Sequence, residues 1–237
     1  MKIALITNQH NYCGREYLFA IHQAKIALTV ISIGKGEEFD ELEEKRCGGY
    51  WHPPTTTSMN KSWEMVSFDS LKDEHLINFL KKSNFSLGIQ GGTGILKNEV
   101  LQCFQLGILN FHPGDLPEYR GCSAPEWQIV EGRRIVSTCH LIDDGIDTGP
   151  VYTKKELELD YASYEKMRAS IYPKNAAFLV EVLQGILAND GFKFTLKAQN
   201  ESKAKYRKYI GDDKINEIRT RWFELMANFS SEYLEKS

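Results

Sequence analysis

Residues 3–33 read IALITNQHNYCGREYLFAIHQAKIALTVISI, and this stretch decides the fold. Ile3–Thr7 and residues 28–33 are short apolar runs of the kind that form buried strands. Between them, residues 15–24 place apolar side chains at helical spacing. A strand, a helix and a second strand in this order predict a βαβ unit, in which the helix crosses over to a parallel neighbouring strand.

The same alternation continues along the chain. Further strands are predicted at residues 85–89, 107–111, 135–142 and 151–157, and helices at residues 69–81, 98–104 and 164–188. Pro173 predicts a kink or a break in the last of these helices. Beyond it we expect a late strand at residues 192–198 and an amphipathic helix at residues 212–234, capped by Asp212. The alternation predicts an α/β fold, with a mostly parallel sheet and helices on both of its faces.

Composition and charge argue against several classes of protein. The 237 residues carry a formal net charge of -3 with a pI near 6.1, and the basic residues form no stripe, which disfavours nucleic acid as a partner. No apolar run is long enough for a membrane span, and the start of the chain lacks a signal-peptide pattern. The five cysteines are widely spaced without a Cys-x-x-Cys pair, so we expect neither a disulfide framework nor a zinc site, and a cytoplasmic location.

Residues 110–121 read NFHPGDLPEYRG and directly follow an apolar strand. Side chains two apart on a strand project to the same side, so Asn110 and His112 face one site, and Pro113 keeps His112 extended. Acyl transfer to an amine needs a donor for the oxygen that becomes negative and a group of near-neutral pKa for the proton of the nitrogen. Taken alone, His112 fits a buried structural histidine better, but the surrounding Pro, Gly and Tyr-Arg-Gly pattern favours this catalytic pair.

Residues 141–150 read LIDDGIDTGP and follow a second apolar strand. Neighbouring carboxylates and burial raise a carboxyl pKa, whereas an imidazolium lowers it, so one of the three acids can orient His112 or relay protons through water. We assign this role to Asp147. Asp143 and Asp144 fit ordinary turn residues, although their backbone can still line a pocket.

The two motifs together resemble a known family. Asn-x-His-Pro-x-x-Leu-Pro-x-Tyr-Arg-Gly, followed by His-x-x-x-x-x-Ile-Asp-Thr-Gly-Pro, is similar to the formyltransferases that use 10-formyltetrahydrofolate. The resemblance implies that Asn110, His112 and Asp147 are the catalytic residues and that no metal takes part. It also implies a Rossmann-like catalytic domain over residues 1–185, a short extension of strand and helix over residues 186–237, and a cis peptide bond before Pro117.

The resemblance also implies where the folate binds. In this family the pterin end lies between the loop before the catalytic strand and the acidic loop, here residues 90–96 and 141–147. Glycines in the first loop would let the backbone approach a flat heterocycle, and the two aliphatic residues after them would supply apolar walls. A glycine-rich turn without a ligand is the alternative. The residues implied in cofactor binding are Gln90, Gly91, Gly92, Thr93, Ile95, Leu96, Ile142, Asp143 and Asp144.

Three branches of this family differ in ways that the sequence can test. The enzyme that formylates glycinamide ribonucleotide carries a glycine- and serine-rich phosphate loop after its first strand, whereas residues 7–14 here read TNQHNYCG. The methionyl-tRNA enzyme continues into a large basic C-terminal domain, for which too few residues follow Ala188. The chain therefore most resembles the sugar N-formyltransferases, above all those acting on dTDP-4-amino-4,6-dideoxyglucose for bacterial surface polysaccharide.

Recognition of a nucleotide-linked amino sugar is the part that the sequence defines least. Thymine is usually held by aromatic stacking, and diphosphate by Lys or Arg. Candidates of these types, together with the loop after the first strand, are Asn8, His10, Tyr12, Trp51, Lys61, Tyr119 and Arg120. For Trp51 a partly buried loop aromatic is an equally good interpretation, and Lys61 also fits a solvated charge. His140 alternates along its strand and has no predicted role.

Other functions remain open at this point. A hydrolase that passes the formyl group from the folate to water would use the same three catalytic residues. A non-catalytic nucleotide-binding module would keep the fold without turnover. The glycinamide ribonucleotide enzyme is a further alternative, which the missing phosphate loop disfavours.

The last predicted helix also suggests an assembly. It carries more apolar side chains than one solvated helix needs, namely Trp222, Phe223, Leu225, Met226 and Phe229. An apolar surface of this kind predicts a homodimer contact.

Overall fold

A computed structural model of the chain describes residues 1–8, 10–34, 41–52, 54, 63–189 and 195–234, and only the backbone at 41–43, 228 and 230–234. Lys61 and residues 192–194 of the predicted late strand lie outside these ranges. The described strands are β1 (Ile3–Thr7), β2 (Thr29–Ile33), β3 (Glu64–Phe68), β4 (Leu87–Gly91), β5 (Ile108–His112), β6 (Arg120–Gly121), β7 (Val136–Leu141), β8 (Val151–Glu156) and β9 (Tyr206–Arg207).

Seven of these strands form one sheet in the order β3-β2-β1-β4-β5-β7-β8. β1 to β5 run parallel, whereas β7 is antiparallel to β5 and β8 is antiparallel to β7. This is the mostly parallel, Rossmann-like sheet that the sequence predicts. β3 was not predicted, because it is an edge strand in which no side chain is fully buried and the apolar pattern is therefore weak.

Helices cover both faces of the sheet, as predicted. α1 (Tyr12–Gln23) and α6 (Tyr164–Ala188) pack on one face, and α3 (Glu74–Ser83) and α4 (Asn98–Leu101) on the other. Along β1, Ile3 and Leu5 join the first cluster of buried side chains and Ala4 and Ile6 the second. A strand buried on both sides reads as a continuous apolar run, which explains the composition of Ile3–Thr7. The remaining helices are α2 (Glu41–Cys47), α5 (Ala124–Val130), α7 (Asp212–Thr220) and α8 (Trp222–Leu234).

Two helix predictions need correction. Of the kink or break predicted at Pro173, the break is wrong, because α6 continues through this residue, and the buried side chains of Ile171 and Ala176 hold it in the core on either side of the proline. The predicted helix over residues 212–234 is two helices, because Arg221, with φ -96° and ψ 13°, leaves the helical range between α7 and α8. The N-cap of α7 is Gly211 and not Asp212.

The apolar residues of α8 pack within the chain. Trp222, Leu225 and Phe229 are 4%, 8% and 8% exposed and join a cluster formed with α5, α6 and α7. Phe223, in contrast, is 83% exposed. This packing removes most of the apolar surface from which the sequence predicted a homodimer contact.

The segment after α6 binds back to the catalytic part of the chain. α6 ends at Ala188, slightly beyond the predicted boundary at residue 185. Within the described part of the predicted late strand, one isolated bridge joins Lys197 to Val151. Further on, β9 pairs in parallel with β6, which lies between β5 and α5. The extension therefore supplies the partner strand for β6, which lies at the end of the predicted catalytic motif.

Candidate active site

β5 presents Asn110 and His112 on one face of the sheet, as the strand periodicity predicts. The backbone of this strand is fixed from the core side, where the Asn175 amide of α6 donates to the Phe111 carbonyl at 2.9 Å. The Ser137 hydroxyl donates to Asn175 Oδ1 at 2.5 Å, and its oxygen lies 3.2 Å from the His112 carbonyl oxygen. These buried bonds hold both polar side chains in a defined direction. The expected cis peptide bond is present between Leu116 and Pro117.

His112 is 7% exposed, and its two ring nitrogens have different partners. Nε2 lies 2.7 Å from the Tyr119 carbonyl, which can only accept, so Nε2 carries a hydrogen. Nδ1 faces the Asp147 carboxylate, with Oδ2 at 3.5 Å. Burial lowers the pKa of His112 below the ordinary value of 6.5, although the charge of Asp147 raises it. At neutral pH His112 is therefore a neutral base whose free lone pair is on Nδ1.

Asp147 has an unusual backbone and a strongly acidic carboxyl. Its φ of 55° lies in the left-handed region, and its Oδ2 accepts from the Gly121 amide at 2.9 Å. Burial by itself raises the pKa of this carboxyl, but the charge of His112 and the contacts with His140 and the Gly121 amide lower it to about 2. Asp147 is thus ionised across the physiological range and stabilises a positive charge on His112.

His140 belongs to the site, although the sequence predicted no role for it. It pairs with Asn110 across the antiparallel β5 and β7 strands, and Asn110 Nδ2 lies 3.2 Å from His140 Nε2. His140 Nδ1 donates to the Leu141 carbonyl at 2.8 Å, so the neutral ring presents a lone pair at Nε2, which accepts from Asn110. Nε2 is also 3.6 Å from Asp147 Oδ1. His140 therefore orients the Asn110 amide and lies beside the carboxylate.

The four side chains form one connected unit. Asn110 contacts His140, His140 and His112 both face the Asp147 carboxylate, and one hydrogen of the Asn110 amide remains for a further acceptor. A hydrogen-bond donor and a neutral base on one strand face are the groups that stabilise a developing oxyanion and accept a proton. The arrangement suits acyl transfer to an amine.

The loop after β4 was predicted to bind the folate. In the structure some of its residues pack within the chain and others are exposed. Gly91 accepts a hydrogen bond from Thr7 of β1 at 2.9 Å. Gly92 has φ 76°, and a Cβ there would lie 2.2 Å from Asn11 Oδ1, so the packing against α1 already explains this glycine. Leu96 is buried in the core, whereas Ile95 is 75% exposed.

Two polar side chains of this loop have distinct environments. The Gln90 amide donates back to the Gly94 carbonyl. Thr93 Oγ1 is buried and has no hydrogen-bond partner among the described residues, and the same holds for His10 Nδ1 on the loop after β1. Buried polar atoms without partners and an exposed aliphatic side chain are the features of a surface that receives a partly polar ligand.

The acidic loop has exposed turn residues and one exposed aliphatic side chain. Asp143 is an exposed turn residue that accepts from the Gly145 amide at 3.2 Å and from Thr148 Oγ1 at 2.5 Å. Asp144 is exposed, and Ile142 packs partly buried against the core beside α4. Ile146, which the sequence analysis did not single out, is 44% exposed.

Of the described residues predicted to bind a nucleotide-linked sugar, two pairs are in contact. Asn8 accepts from the His10 amide at 2.9 Å in the loop after β1. Trp51 and Tyr12 are buried and stacked at 4.3 Å, and Trp51 donates to Glu16 at 2.6 Å, which matches the interpretation of Trp51 as a buried loop aromatic.

Tyr119 and Arg120 are likewise engaged within the chain. Tyr119 donates its hydroxyl hydrogen to Glu131 at 2.8 Å. Arg120 is 7% exposed and binds Gln199 and Glu201 through its guanidinium group. Both residues therefore support the loop between β5 and α5 in this structure.

The described ranges contain neither a candidate metal cluster nor a candidate membrane span. Their His, Cys, Asp and Glu side chains form no group of three or more that could hold a metal ion. In the same ranges, no helix combines the length and the apolar character that a membrane span requires.

The chain is similar to several known proteins. Residues 1–183 match the family model described as Formyl transferase. A methionyl-tRNA formyltransferase from Thermodesulfovibrio yellowstonii is 31% identical over 118 residues, 48% of this chain and only 38% of that protein's length. Two solved structures share the fold: a sugar N-formyltransferase from Shewanella sp FDAARGOS_354 (TM-score 0.60, 15% identity, 94% of this chain and 88% of that chain) and a phosphoribosylglycinamide formyltransferase from Streptococcus pneumoniae TIGR4 (TM-score 0.56, 21% identity, 78% and 98%).

Proposed function

Since the chain belongs to the formyl transferase family, we propose that it transfers a formyl group from 10-formyltetrahydrofolate to the amino group of a nucleotide-linked amino deoxysugar. The observation that carries the proposal is the connected unit of Asn110, His140, Asp147 and His112. It holds an amide donor and a neutral imidazole on one strand face, which are the two groups that this reaction needs.

Each residue of the unit then has a defined task. The bound folate supplies an activated formyl carbonyl. As the amine attacks the formyl carbon, Asn110 donates to the carbonyl oxygen, which becomes negative. His112 accepts the proton that the amine nitrogen loses, and Asp147 stabilises the imidazolium. The same proton then goes to the departing folate nitrogen when its bond to carbon breaks, so no net proton remains on the protein.

Three loops have features that fit the folate. Thr93 Oγ1 after β4 and His10 Nδ1 after β1 supply buried polar atoms without partners among the described residues. Ile95 after β4 and Ile146 after β7 supply exposed aliphatic surface. A pterin combines hydrogen-bonding edges with a flat apolar face, so both features support its placement there. The remaining folate-binding candidates of these loops, including Gln90, keep the roles that the family resemblance implies.

The sugar as acceptor is supported by the loop after β1. Residues 7–14 lack the glycine-rich phosphate loop that the family resemblance ascribes to the glycinamide ribonucleotide enzyme. We favour dTDP-4-amino-4,6-dideoxyglucose, used in bacterial surface polysaccharide, as the acceptor. The five cysteines are free thiols, which fits a reaction in a reducing cytoplasm.

The experiment that tests the function is an assay of tetrahydrofolate release from 10-formyltetrahydrofolate. Separate reactions contain a dTDP-linked 4-amino sugar, a dTDP-linked 3-amino sugar, glycinamide ribonucleotide, methionyl-tRNA or no acceptor. We expect release with the 4-amino sugar and none without an acceptor.

The other outcomes identify the alternatives. Release with glycinamide ribonucleotide or methionyl-tRNA alone would contradict the sugar assignment and keep formyl transfer. Release without any acceptor would indicate a hydrolase. No release in any reaction, from protein that is folded by circular dichroism, would contradict the proposed function.

A further inference from the structure

The loop that carries Asp147 is held by a residue outside the part of the chain that matches the family. Gln199 lies after α6, beyond residue 183, where the family match ends. Its Nε2 donates to the Asp147 carbonyl at 2.9 Å and to the Gly149 carbonyl at 2.7 Å. One side-chain amide thus binds two carbonyls of the catalytic loop.

Gln199 is itself fixed in orientation. Its Oε1 accepts from Arg120 Nε at 3.0 Å and from Nη2 at 2.9 Å, and since arginine only donates, the Nε2 end must face the loop. Arg120 is buried and also binds Glu201 through two hydrogen bonds. Two residues before Gln199, the backbone of Lys197 exchanges two hydrogen bonds of 2.8 Å with Val151.

The backbone of Asp147 needs such support. A left-handed φ costs a residue with a side chain about 1–2 kcal/mol, so the loop keeps φ 55° only if other contacts hold it. The carboxylate of Asp147 is bound by the amide of Gly121, which follows Arg120 on β6. Gln199 therefore binds Asp147 at its carbonyl, and Gly121 binds it at its carboxylate.

We propose that Gln199 is a positioning residue for the reaction, which holds the Asp147 backbone so that the carboxylate faces His112 and His140. It acts through Asp147, and the extension takes part in the chemistry in this way. The kinetic consequence of the proposal depends on the proposed formyl transfer, whereas its effect on the ionisation of His112 depends only on the geometry.

The first test replaces Gln199 by methionine, which keeps the length of the side chain and removes both hydrogen-bonding groups. We expect kcat for formyl transfer to fall about 10- to 100-fold, as for a displaced catalytic group, with KM for both substrates changed less than about 3-fold. An unchanged kcat, or a loss that appears only in KM, would overturn the proposal.

A double-mutant cycle separates positioning from general damage to the fold. If Gln199 acts only through the carboxylate of Asp147, Q199M should reduce the rate little further once Asp147 is replaced by asparagine. We expect kcat of the double variant within about 3-fold of the D147N single variant. Multiplication of the two losses would show that Gln199 acts by another route.

An NMR titration of the histidine rings tests the contact between His112 and Asp147 without depending on turnover. The charge of Asp147 raises the pKa of His112, so displacement of the carboxylate in Q199M should lower the His112 midpoint toward its value in D147N. His140, the other imidazole at the carboxylate, is followed in the same spectra, and H112N assigns the His112 signal. An unchanged His112 midpoint would contradict the positioning role even in an active enzyme. A lowered midpoint in a chain that transfers no formyl group would keep the positioning role and reject the proposed function.

Two further variants control for folding. Glu201→Gln changes an exposed residue that, like Gln199, binds Arg120. We expect kcat of this variant to stay within about 2-fold of wild type and the pKa midpoint of His112 to stay near the wild-type value. If Q199M is unfolded by circular dichroism, Gln199→Asn replaces it, because this variant keeps both groups and moves them away from the loop by one methylene. The same fall in kcat and in the His112 midpoint is then expected, and wild-type values would overturn the proposal.

Discussion

The partners of His112 determine how this residue handles a proton. Nε2 is committed to the Tyr119 carbonyl, and Nδ1 keeps its lone pair toward Asp147. Replacing His112 by asparagine removes the base, and we expect kcat for formyl transfer to fall about 10²- to 10⁴-fold. Circular dichroism and folate binding, which should both be retained, show that the loss concerns the chemistry. Turnover at the wild-type rate would rule out the assigned role.

Removing the charge of Asp147 should change the pH profile. The neutral form of His112 is the active base, so kcat/KM falls as the pH drops through its pKa. Asp147 raises this pKa, so Asp147→Asn lowers it, and the acid limb of the profile should move to lower pH. We also expect a maximal rate about 10- to 10³-fold below wild type. The exposed Glu158→Gln serves as the control, and a D147N limb that coincides with it would contradict this electrostatic account.

At the scale of single residues, the polar side chains of β5 could be predicted from the sequence, whereas their contacts with other strands could not. Asn110 and His112 are two residues apart on one strand, and strand periodicity alone places them on one face. His140 was missed because its role depends on the register between two antiparallel strands, which no local pattern contains. The only indication in the sequence was an imidazole on a strand of otherwise apolar or small side chains.

At the scale of elements, the start of α1 and the loop after β4 depend on each other. Asn11 caps α1 by accepting from the Cys13 amide at 2.8 Å, and Gly92 approaches the same side chain. Gly92→Ala adds a Cβ at φ 76° and displaces the cap, so we expect a loss of about 2–3 kcal/mol in the free energy of unfolding.

Gly94→Ala is the matched control for this prediction. Gly94 has φ 84°, but a Cβ there would meet no atom within 4 Å, so the variant measures the backbone strain alone, about 1–2 kcal/mol. Urea unfolding of both variants gives the difference. Equal losses would mean that the contact between Gly92 and Asn11 contributes nothing.

The elements that the sequence predicted correctly are those with a strong apolar pattern. β1 is a continuous apolar run and α1 has apolar residues at helical spacing. β3 at the sheet edge and the two-residue strands β6 and β9 have no such pattern. One apolar period also runs through α7 and α8, so the break at Arg221 left no trace in the pattern. Short pairs and breaks of this kind are set by tertiary contacts.

For the molecule as a whole, the extension is joined to the catalytic part by a common core. Trp222 is 4% exposed, lies edge-on to Tyr164 of α6 and donates to the Tyr161 carbonyl at 2.9 Å. Trp222→Ala should therefore lower the free energy of unfolding by about 3–5 kcal/mol in urea denaturation.

The neighbouring residue provides the control for this variant. Phe223 is exposed, so Phe223→Ala should change the stability by no more than about 0.5 kcal/mol if the protein is a monomer. Sedimentation of both variants also tests the homodimer predicted from α8. A larger effect of F223A, together with a dimeric wild type that becomes monomeric, would place an interface at this face.

The pairing of β6 with β9 has a consequence for synthesis on the ribosome. Arg120 of β6 cannot pair with β9 until Tyr206 has been synthesised, and the intervening chain takes roughly 4 to 17 seconds to make at typical elongation rates. Once Asp147 has been made, all three predicted catalytic residues exist in the nascent chain, but the loop beside them still lacks its partner strand. Maturation of the enzyme is therefore tied to synthesis of β9, and termination between Asp147 and Tyr206 would yield a chain with all three residues and an unfinished site.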